Sequence, residues 1–578
     1  MTGPAAPKDP EKARPFFYIL KDKDIFGERQ KDGTGIQFIY ESDGRLINSA
    51  QITGNVTDKE ELTLLETVEG FGRLVHSIGV SVETDRPEET AEFVFQMYGK
   101  KDLYGGGTNL TASLKCDGME HRIYLSDYRW TEDDHVPGQI KILFAAPERM
   151  GKVSVRLFLN DGYEAPPEEE DLVIDMHSEE YCGMISRSLL QLGNPYRIRK
   201  AIEKSKAGKE VTLAYIGGSI TQGAGAIPIH TECYAYKSFQ LFQNRFSTQN
   251  NVRFIKAGVG GTPSELGMIR FDRDVLREGE RPDIVVIEFA VNDEGDETKG
   301  VCYESLVRKV LKLPWKPAVV LLFSVFANDW NLQERLRPVG DLYDLPMVSI
   351  LNAVTPQFSL KCGEGRILSK NQFFYDIFHP NNIGHTIMAD CLQYLFERCD
   401  AAEPARVGTF VEGMTEEQIL SEKLSGPAVI GADFERIFLL DKKNRYVGAK
   451  IRTGSFTSTD IELQSVEMDG SLTQTPEFPY NWMYDGSRLQ MPGFEMEITC
   501  KSLFLIFKDS GEMDVGKANV FVNDVYCMTA DPHKNNWLHC NAVLLFWETE
   551  SRSHKVRIAV TEEDRNKKFT ILGFGYTI

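Results

Sequence analysis

The stretch Val211-Thr212-Leu213-Ala214-Tyr215-Ile216-Gly217-Gly218-Ser219-Ile220-Thr221 decides how the rest of the chain is read. Its first half is a near-continuous apolar run, the pattern of a strand buried on both faces of a parallel sheet. Its second half is a glycine pair followed by hydroxyl residues. Glycines let the backbone turn sharply and leave space beside the next residue. Ser219 is therefore expected at the carboxyl end of a strand, where open α/β sheets hold their ligands. Taken alone, a glycine-rich turn of this kind marks only a turn.

Three later stretches join it. Lys256-Ala257-Gly258-Val259-Gly260-Gly261-Thr262 follows Asn251-Val252-Arg253-Phe254-Ile255, a second predicted strand. Pro282-Asp283-Ile284-Val285-Val286-Ile287-Glu288-Phe289-Ala290-Val291-Asn292-Asp293 is a buried-strand pattern with an amide at its tip. Tyr375-Asp376-Ile377-Phe378-His379-Pro380-Asn381 precedes a helical pattern from Ile383 to Cys399. In chain order the tips carry a serine, a glycine, an asparagine and an Asp-x-x-His pair. A serine hydroxyl needs a base within reach, and that base needs an orienting group. His379 is the natural base near pH 7. Asp376, three residues earlier, can reach one of its ring nitrogens, and Pro380 biases His379 away from helical backbone. Acyl transfer also needs donors for the developing oxyanion. The N–H of Ser219, a glycine N–H of the second stretch and the side-chain amide of Asn292 can supply them.

These four blocks, in this order, resemble those of the SGNH hydrolases, also called GDSL-type esterases. Gly-Gly-Ser-Ile-Thr is similar to block I, Gly-Val-Gly-Gly to block II, Ala-Val-Asn-Asp to block III and Asp-x-x-His-Pro to block V. The resemblance spans Val211 to Cys399, about a third of the chain. It implies a flavodoxin-like, three-layer α/β domain with Ser219, Asp376 and His379 as catalytic residues. It also implies an oxyanion hole of Ser219, Gly261 and Asn292, with Gly261 preferred to its neighbour Gly260 by register with block II. Gly218 stands where the named GDSL motif has an acidic residue. Several carbohydrate esterases of the superfamily share that departure, so the resemblance implies that branch and an acetylated carbohydrate as substrate.

A chain of 578 residues is too long for one core. From Phe16 to about Asp161, short alternating runs such as Ala91-Glu92-Phe93-Val94-Phe95 and Val153-Ser154-Val155-Arg156-Leu157 recur between turns. They predict an N-terminal β-sandwich, jelly-roll-like, over 16–170. Ala165-Pro166-Pro167-Glu168-Glu169-Glu170-Asp171 marks its end, and a helical connector is expected over 171–207. Alternating strand and helix over 208–400 predicts a parallel sheet with helices on both faces. The helix near Cys233 to Phe246 turns Ala235, Phe239, Phe242 and Phe246 to one apolar face. After Asp400-Ala401-Ala402-Glu403-Pro404, a second β-sandwich is expected over 401–578, of the kind appended to sugar-active enzymes.

A hydrophobic content of 42% and a charged content of 26% are ordinary for a soluble globular protein. A net charge of −20 argues against nucleic acid and anionic lipid as partners. The leader Met1 to Pro10 lacks the apolar core of a signal peptide, which sets the expectation of a cytoplasmic protein. A chain from which a signal had already been cleaved would read the same. The ten cysteines form no Cys-x-x-Cys pair and read as reduced and mostly buried. No histidine or cysteine cluster has zinc spacing, so neither metal nor other cofactor is expected.

For the substrate, Trp330 follows a strand tip near the site and Trp537 lies in a polar loop of the last region. Both are expected to stack on sugar rings, the Trp537 loop by reaching over the cleft. His230, near the nucleophile in sequence, is a candidate pocket residue or a surface loop histidine. Glu288, inside an apolar strand, is expected to pair with Arg270 or a backbone group. Two other readings compete: a lipid-directed esterase or lysophospholipase, and a non-catalytic sugar-binding protein. The oligomeric state is left open.

Overall fold

The computed structural model describes residues 12–39, 45–101, 105–168, 170–402, 414–487 and 493–578. The leader Met1 to Pro10 and the boundary residues Glu169, Glu403 and Pro404 lie outside them.

The centre is a six-stranded sheet in the spatial order Leu189–Gln191, Met347–Ser349, Ala318–Phe323, Ile284–Glu288, Val211–Gly217, Val252–Gly258. The last five strands are parallel neighbours. Their residues alternate between two apolar cores. Leu213, Tyr215, Val286, Val320 and Leu322 face one core. Ala214, Ile216, Val285, Ile287, Leu321 and Phe323 face the other. Burial on both faces is why these strands read as unbroken apolar runs. The first core is closed by helices including Tyr234–Phe246 and Asn382–Ala401, the second by helices including Ser264–Phe271 and Val301–Leu311.

One correction concerns the sheet edge. The segment expected as a purely helical connector holds the helices Glu179–Ser186 and Tyr196–Lys206, and between them the strand Leu189–Gln191. That strand pairs antiparallel with Met347–Ser349, so the sheet is mixed rather than wholly parallel. Three residues are too few for a periodicity to separate strand from helix. The pairing covers the amide row that the short Met347–Ser349 strand would otherwise leave open.

Two β-rich regions flank this domain. The N-terminal one holds an antiparallel four-stranded and an antiparallel five-stranded sheet. Inward residues of both sheets share one core. Three short helices, Arg45–Ile52, Lys59–Leu64 and Val68–Leu74, interrupt the expected β texture. The last two start at Asp58 and Thr67, whose side chains accept N–H bonds of the first turn. The C-terminal region is built on an antiparallel eight-stranded sheet whose longest strands are Phe494–Asp509 and His539–Val560. Along Phe494–Asp509 the side chains divide. Leu503, Leu505 and Phe507 face the region's own core. Phe504 and Ile506 enter the second core of the central domain. The two regions thus share apolar interior. All ten cysteines are free thiols, and only Cys182 and Cys527 are exposed.

Candidate active site

The Val211–Gly217 strand ends at Gly217, and Ser219 opens a one-turn helix, Ser219–Gln222. As the first helical residue, Ser219 has no intrahelical acceptor for its N–H. Gly218 is required by a close approach: a Cβ there would lie 2.0 Å from Asn292 Oδ1. The tips beneath are pinned by Arg270, which is fully buried. It donates to the carbonyls of Gly217 at 2.7 Å and Ala257 at 2.6 Å, and pairs with Asp274 at 3.0 Å. Glu288, in register with Gly217, therefore does not pair with Arg270. Its Oε2 accepts from Thr221 Oγ1 at 3.1 Å, and that hydroxyl also bonds Tyr234 Oη at 2.8 Å. Burial pushes the Glu288 carboxyl up to about 7.

His379 lies opposite Ser219. Its Nε2 is 2.9 Å from Ser219 Oγ, and its Nδ1 is 2.9 Å from Asp376 Oδ2. The other Asp376 oxygen accepts the N–H groups of Phe378 at 2.7 Å and His379 at 2.9 Å. Three residues of separation suffice because the loop folds back on itself. Tyr375 N donates to His379 O, and Asn381 N donates to Phe373 O. Asn381 then caps the helix Asn382–Ala401. The carboxylate fixes one ring nitrogen, so the other is presented to the serine hydroxyl. The side chains of His379 and Asp376 are 16% and 10% exposed, which leaves an edge of the imidazole open to a substrate.

The glycine pair of the second block resolves by its bonds. Gly260 N–H is held by Gln222 Oε1 at 2.9 Å. Gly261 N–H has no partner among the described residues. Gly261 adopts φ +70°, a left-handed conformation suited to glycine. Asn292 Oδ1 is buried without a partner, and its amide nitrogen donates to no described residue. Among the described residues, the Ser219 N–H, the Gly261 N–H and the Asn292 amide are therefore unengaged donors.

Trp537 reaches the site. A Cβ on Gly261 would lie 2.7 Å from its ring, and 45% of Trp537 is exposed. Trp330 is one step further out. It stacks on Phe326 at 5.9 Å, Phe326 meets Phe378 edge-on at 5.1 Å, and Phe378 meets His379 at 6.1 Å. His230 is not brought to the serine by any described contact. It lies in the short helix Ile229–Glu232 beside Lys256, Glu232 and Glu467, and burial lowers its pKa.

Four supporting residues carry no signal in the four blocks. His385 is fully buried, accepts from Tyr234 N at Nδ1 and donates from Nε2 to Ala224 O; burial holds its pKa down at about 3. Lys23, from the N-terminal region, donates to the carbonyls of Asn371 and Phe374 just before Asp376. Burial pulls its pKa down to about 8. Its inward place in the alternating strand Phe16–Phe26 was the available clue. Gln464 and His539, from the C-terminal region, donate to the carbonyls of Gly260 and Gly261, each at 3.0 Å. Among the described residues, no group of three or more His, Cys, Asp or Glu could hold a metal ion, and no helix is long and apolar enough to cross a membrane.

Residues 215–387 match the GDSL-like Lipase/Acylhydrolase family. A comparison with curated proteins finds no match. Among solved structures, the chain is similar to a two-domain esterase active on acetylated mannans, co-crystallised with mannopentaose. Identity is 24% and the TM-score 0.53, over 68% of this chain and 98% of that one. A second structure of a two-domain esterase active on acetylated mannans gives 23% identity and a TM-score of 0.54 over the same shares. At that identity the likeness shows a shared fold. The family match spans the segments that hold Ser219, Gly261, Asn292, Asp376 and His379; it identifies residues 215–387 as a GDSL-like lipase/acylhydrolase domain of the SGNH superfamily, and the chain as a carboxylic ester hydrolase.

Proposed function

We propose that this chain is a serine acetylesterase that removes acetyl groups from an acetylated oligo- or polysaccharide through an acyl-enzyme. The observation that carries the reading is the hydrogen-bonded line Ser219–His379–Asp376, with 2.9 Å at both links, alongside three donors that are unengaged among the described residues. In this mechanism Ser219 Oγ attacks the acetyl carbonyl while His379 Nε2 takes its proton. The tetrahedral oxyanion is held by the N–H groups of Ser219 and Gly261 and by the Asn292 amide. His379 returns the proton to the departing sugar hydroxyl. A water, deprotonated by the same nitrogen, then attacks the acyl-serine and releases acetate. Asp376 keeps the imidazole in the required tautomer throughout.

The carbohydrate part of the reading is supported by two features. Trp537 offers a half-exposed aromatic face beside Gly261, as ring stacking needs. Two structures of the same fold are named as esterases active on acetylated mannans. The C-terminal β-rich region, as a sandwich, would complete an open platform for a chain of sugars.

The test is acetate release from acetylated xylo-, manno- and pectic oligosaccharides, with acetate and octanoate aryl esters alongside. Acetate release from at least one oligosaccharide, abolished in Ser219→Ala, is expected. A strong preference for octanoate would overturn the carbohydrate reading in favour of a lipid-directed one. A Ser219→Ala variant that keeps more than a few per cent of activity on the aryl acetate would remove the serine mechanism.

A further inference from the structure

Gly260 and Gly261 belong to the central domain, yet both of their carbonyls are bound by side chains of the C-terminal region. Gln464 Nε2 donates to Gly260 O and His539 Nε2 donates to Gly261 O. The first bond has a consequence that the second lacks. The carbonyl of Gly260 and the N–H of Gly261 are the two ends of one planar peptide unit. In a trans peptide they point in opposite directions, and the cis bond recorded among the described residues is Ile227–Pro228. Holding the carbonyl on the Gln464 side therefore aims the Gly261 N–H the other way. The unit sits beside the nucleophile, since a Cβ on Gly260 would be 3.8 Å from Ser219 Cβ.

Gln464 is itself held at both ends. Its Oε1 accepts Cys540 N–H at 2.9 Å, its Nε2 donates to Gly260 at 3.0 Å, and only 8% of the residue is exposed. An amide is suited to this place because it accepts from one strand and donates to the loop at once. Its donation also polarises the peptide, which makes the opposite N–H a stronger donor. Gly260 N–H is occupied by Gln222, so it cannot compete for the oxyanion without giving up that bond.

We propose that Gln464 is a positioning residue for the oxyanion hole, acting through the Gly260–Gly261 peptide to aim and polarise the Gly261 N–H. This rests on the reading of Gly261 as an oxyanion donor. The C-terminal region then contributes to the chemical step itself, not only to holding substrate.

The experiment compares Gln464→Met, Gln464→Glu and Asn292→Ala on an aryl acetate. Met keeps the length and neutrality of the side chain but cannot donate. Glu keeps the acceptor for Cys540 N–H and loses the donor. The readouts are kcat, KM, and inhibition by a boronic acid that forms a tetrahedral serine adduct. A donor misaimed by a fraction of an ångström should lower kcat about tenfold. The expected result for both Gln464 variants is that loss, with KM within twofold and boronate affinity weakened by the same factor. Unchanged kcat and boronate affinity in a folded Gln464 variant, while Asn292→Ala loses about 100-fold, overturns the role of Gln464 and leaves the oxyanion site standing. Unchanged kcat in Asn292→Ala overturns the oxyanion reading and this inference together. Should one Gln464 variant fail to fold, as judged by circular dichroism, the other decides.

Discussion

Asp376 illustrates how much one side chain is asked to do. One oxygen accepts two backbone N–H groups and the other holds His379 Nδ1. Asp376→Asn should keep the loop folded, since the amide oxygen can still accept both backbone N–H bonds, but its NH2 then faces His379 Nδ1 and stabilises the wrong imidazole tautomer. We expect kcat on an aryl acetate to fall about 10³- to 10⁴-fold with the melting temperature little changed. A loss under tenfold would mean that His379 is oriented by something else. At this scale the sequence was most legible where a residue acts at the tip of its own strand or loop. That Ser219, His379 and Asp376 would come within hydrogen-bond reach needed only block order and spacing. For Glu288, expected to pair with Arg270 or a backbone group, the second alternative holds: the backbone at Gly218 bonds it and Arg270 does not. The sequence showed a charge inside an apolar strand but not which face it took. Arg270 was drawn instead to the strand-tip carbonyls and to Asp274, one turn along its own helix. Gln464 and His539 were illegible because their bonds to Gly260 and Gly261 span 204 and 278 residues.

Among the elements, the helix Asn382–Ala401 does more than close a core. It follows the Asp376–His379 loop directly and carries His385 in its first turns. His385 is locked in one neutral tautomer between Tyr234 N and Ala224 O. Its folded pKa of about 3 lies below the ordinary 6.5. Between those values the unfolded chain binds a proton that the folded chain refuses. Stability from this group is therefore complete above pH 6.5 and is lost as pH falls toward 3. The part lost between pH 7 and pH 5 should be about 2 kcal/mol. Urea unfolding of His385→Gln, less stable overall, should show a shallower decline over that interval than the parent; an identical slope would mean that His385 is not the group responsible. Glu288 works in the opposite sense. Its carboxyl is raised from 4.5 to about 7, so its contribution is present below 4.5 and lost as pH rises through 7. The buried parallel strands were legible as elements because burial on both faces leaves a continuous apolar signature. The strand Leu189–Gln191 and the three N-terminal helices were not, being too short for a periodicity to develop.

On the scale of the molecule, the flanking β-rich regions touch the two loops that matter most. The N-terminal region holds the approach to Asp376 through Lys23, and Tyr375 packs against its core. The C-terminal region holds Gly260 and Gly261 through Gln464 and His539, and lays Trp537 over Gly261. The Trp537 contact separates two duties that one tryptophan could perform. If its exposed face stacks on a sugar, Trp537→Ala weakens substrate binding only when a sugar is present. Loss of one stacking contact is worth on the order of 1 kcal/mol, so KM for an acetylated oligosaccharide should rise about 5- to 10-fold. On an aryl acetate, which lacks the sugar, KM should stay within twofold. If instead the ring mainly buttresses Gly261, the donor loses its aim for both substrates, and kcat falls on both while KM does not separate them. Steady-state kinetics of Trp537→Ala on the two esters distinguishes these outcomes. A rise in KM confined to the sugar ester makes the C-terminal loop a wall of the substrate cleft. An equal fall in kcat on both would confine Trp537, like Gln464, to shaping the loop.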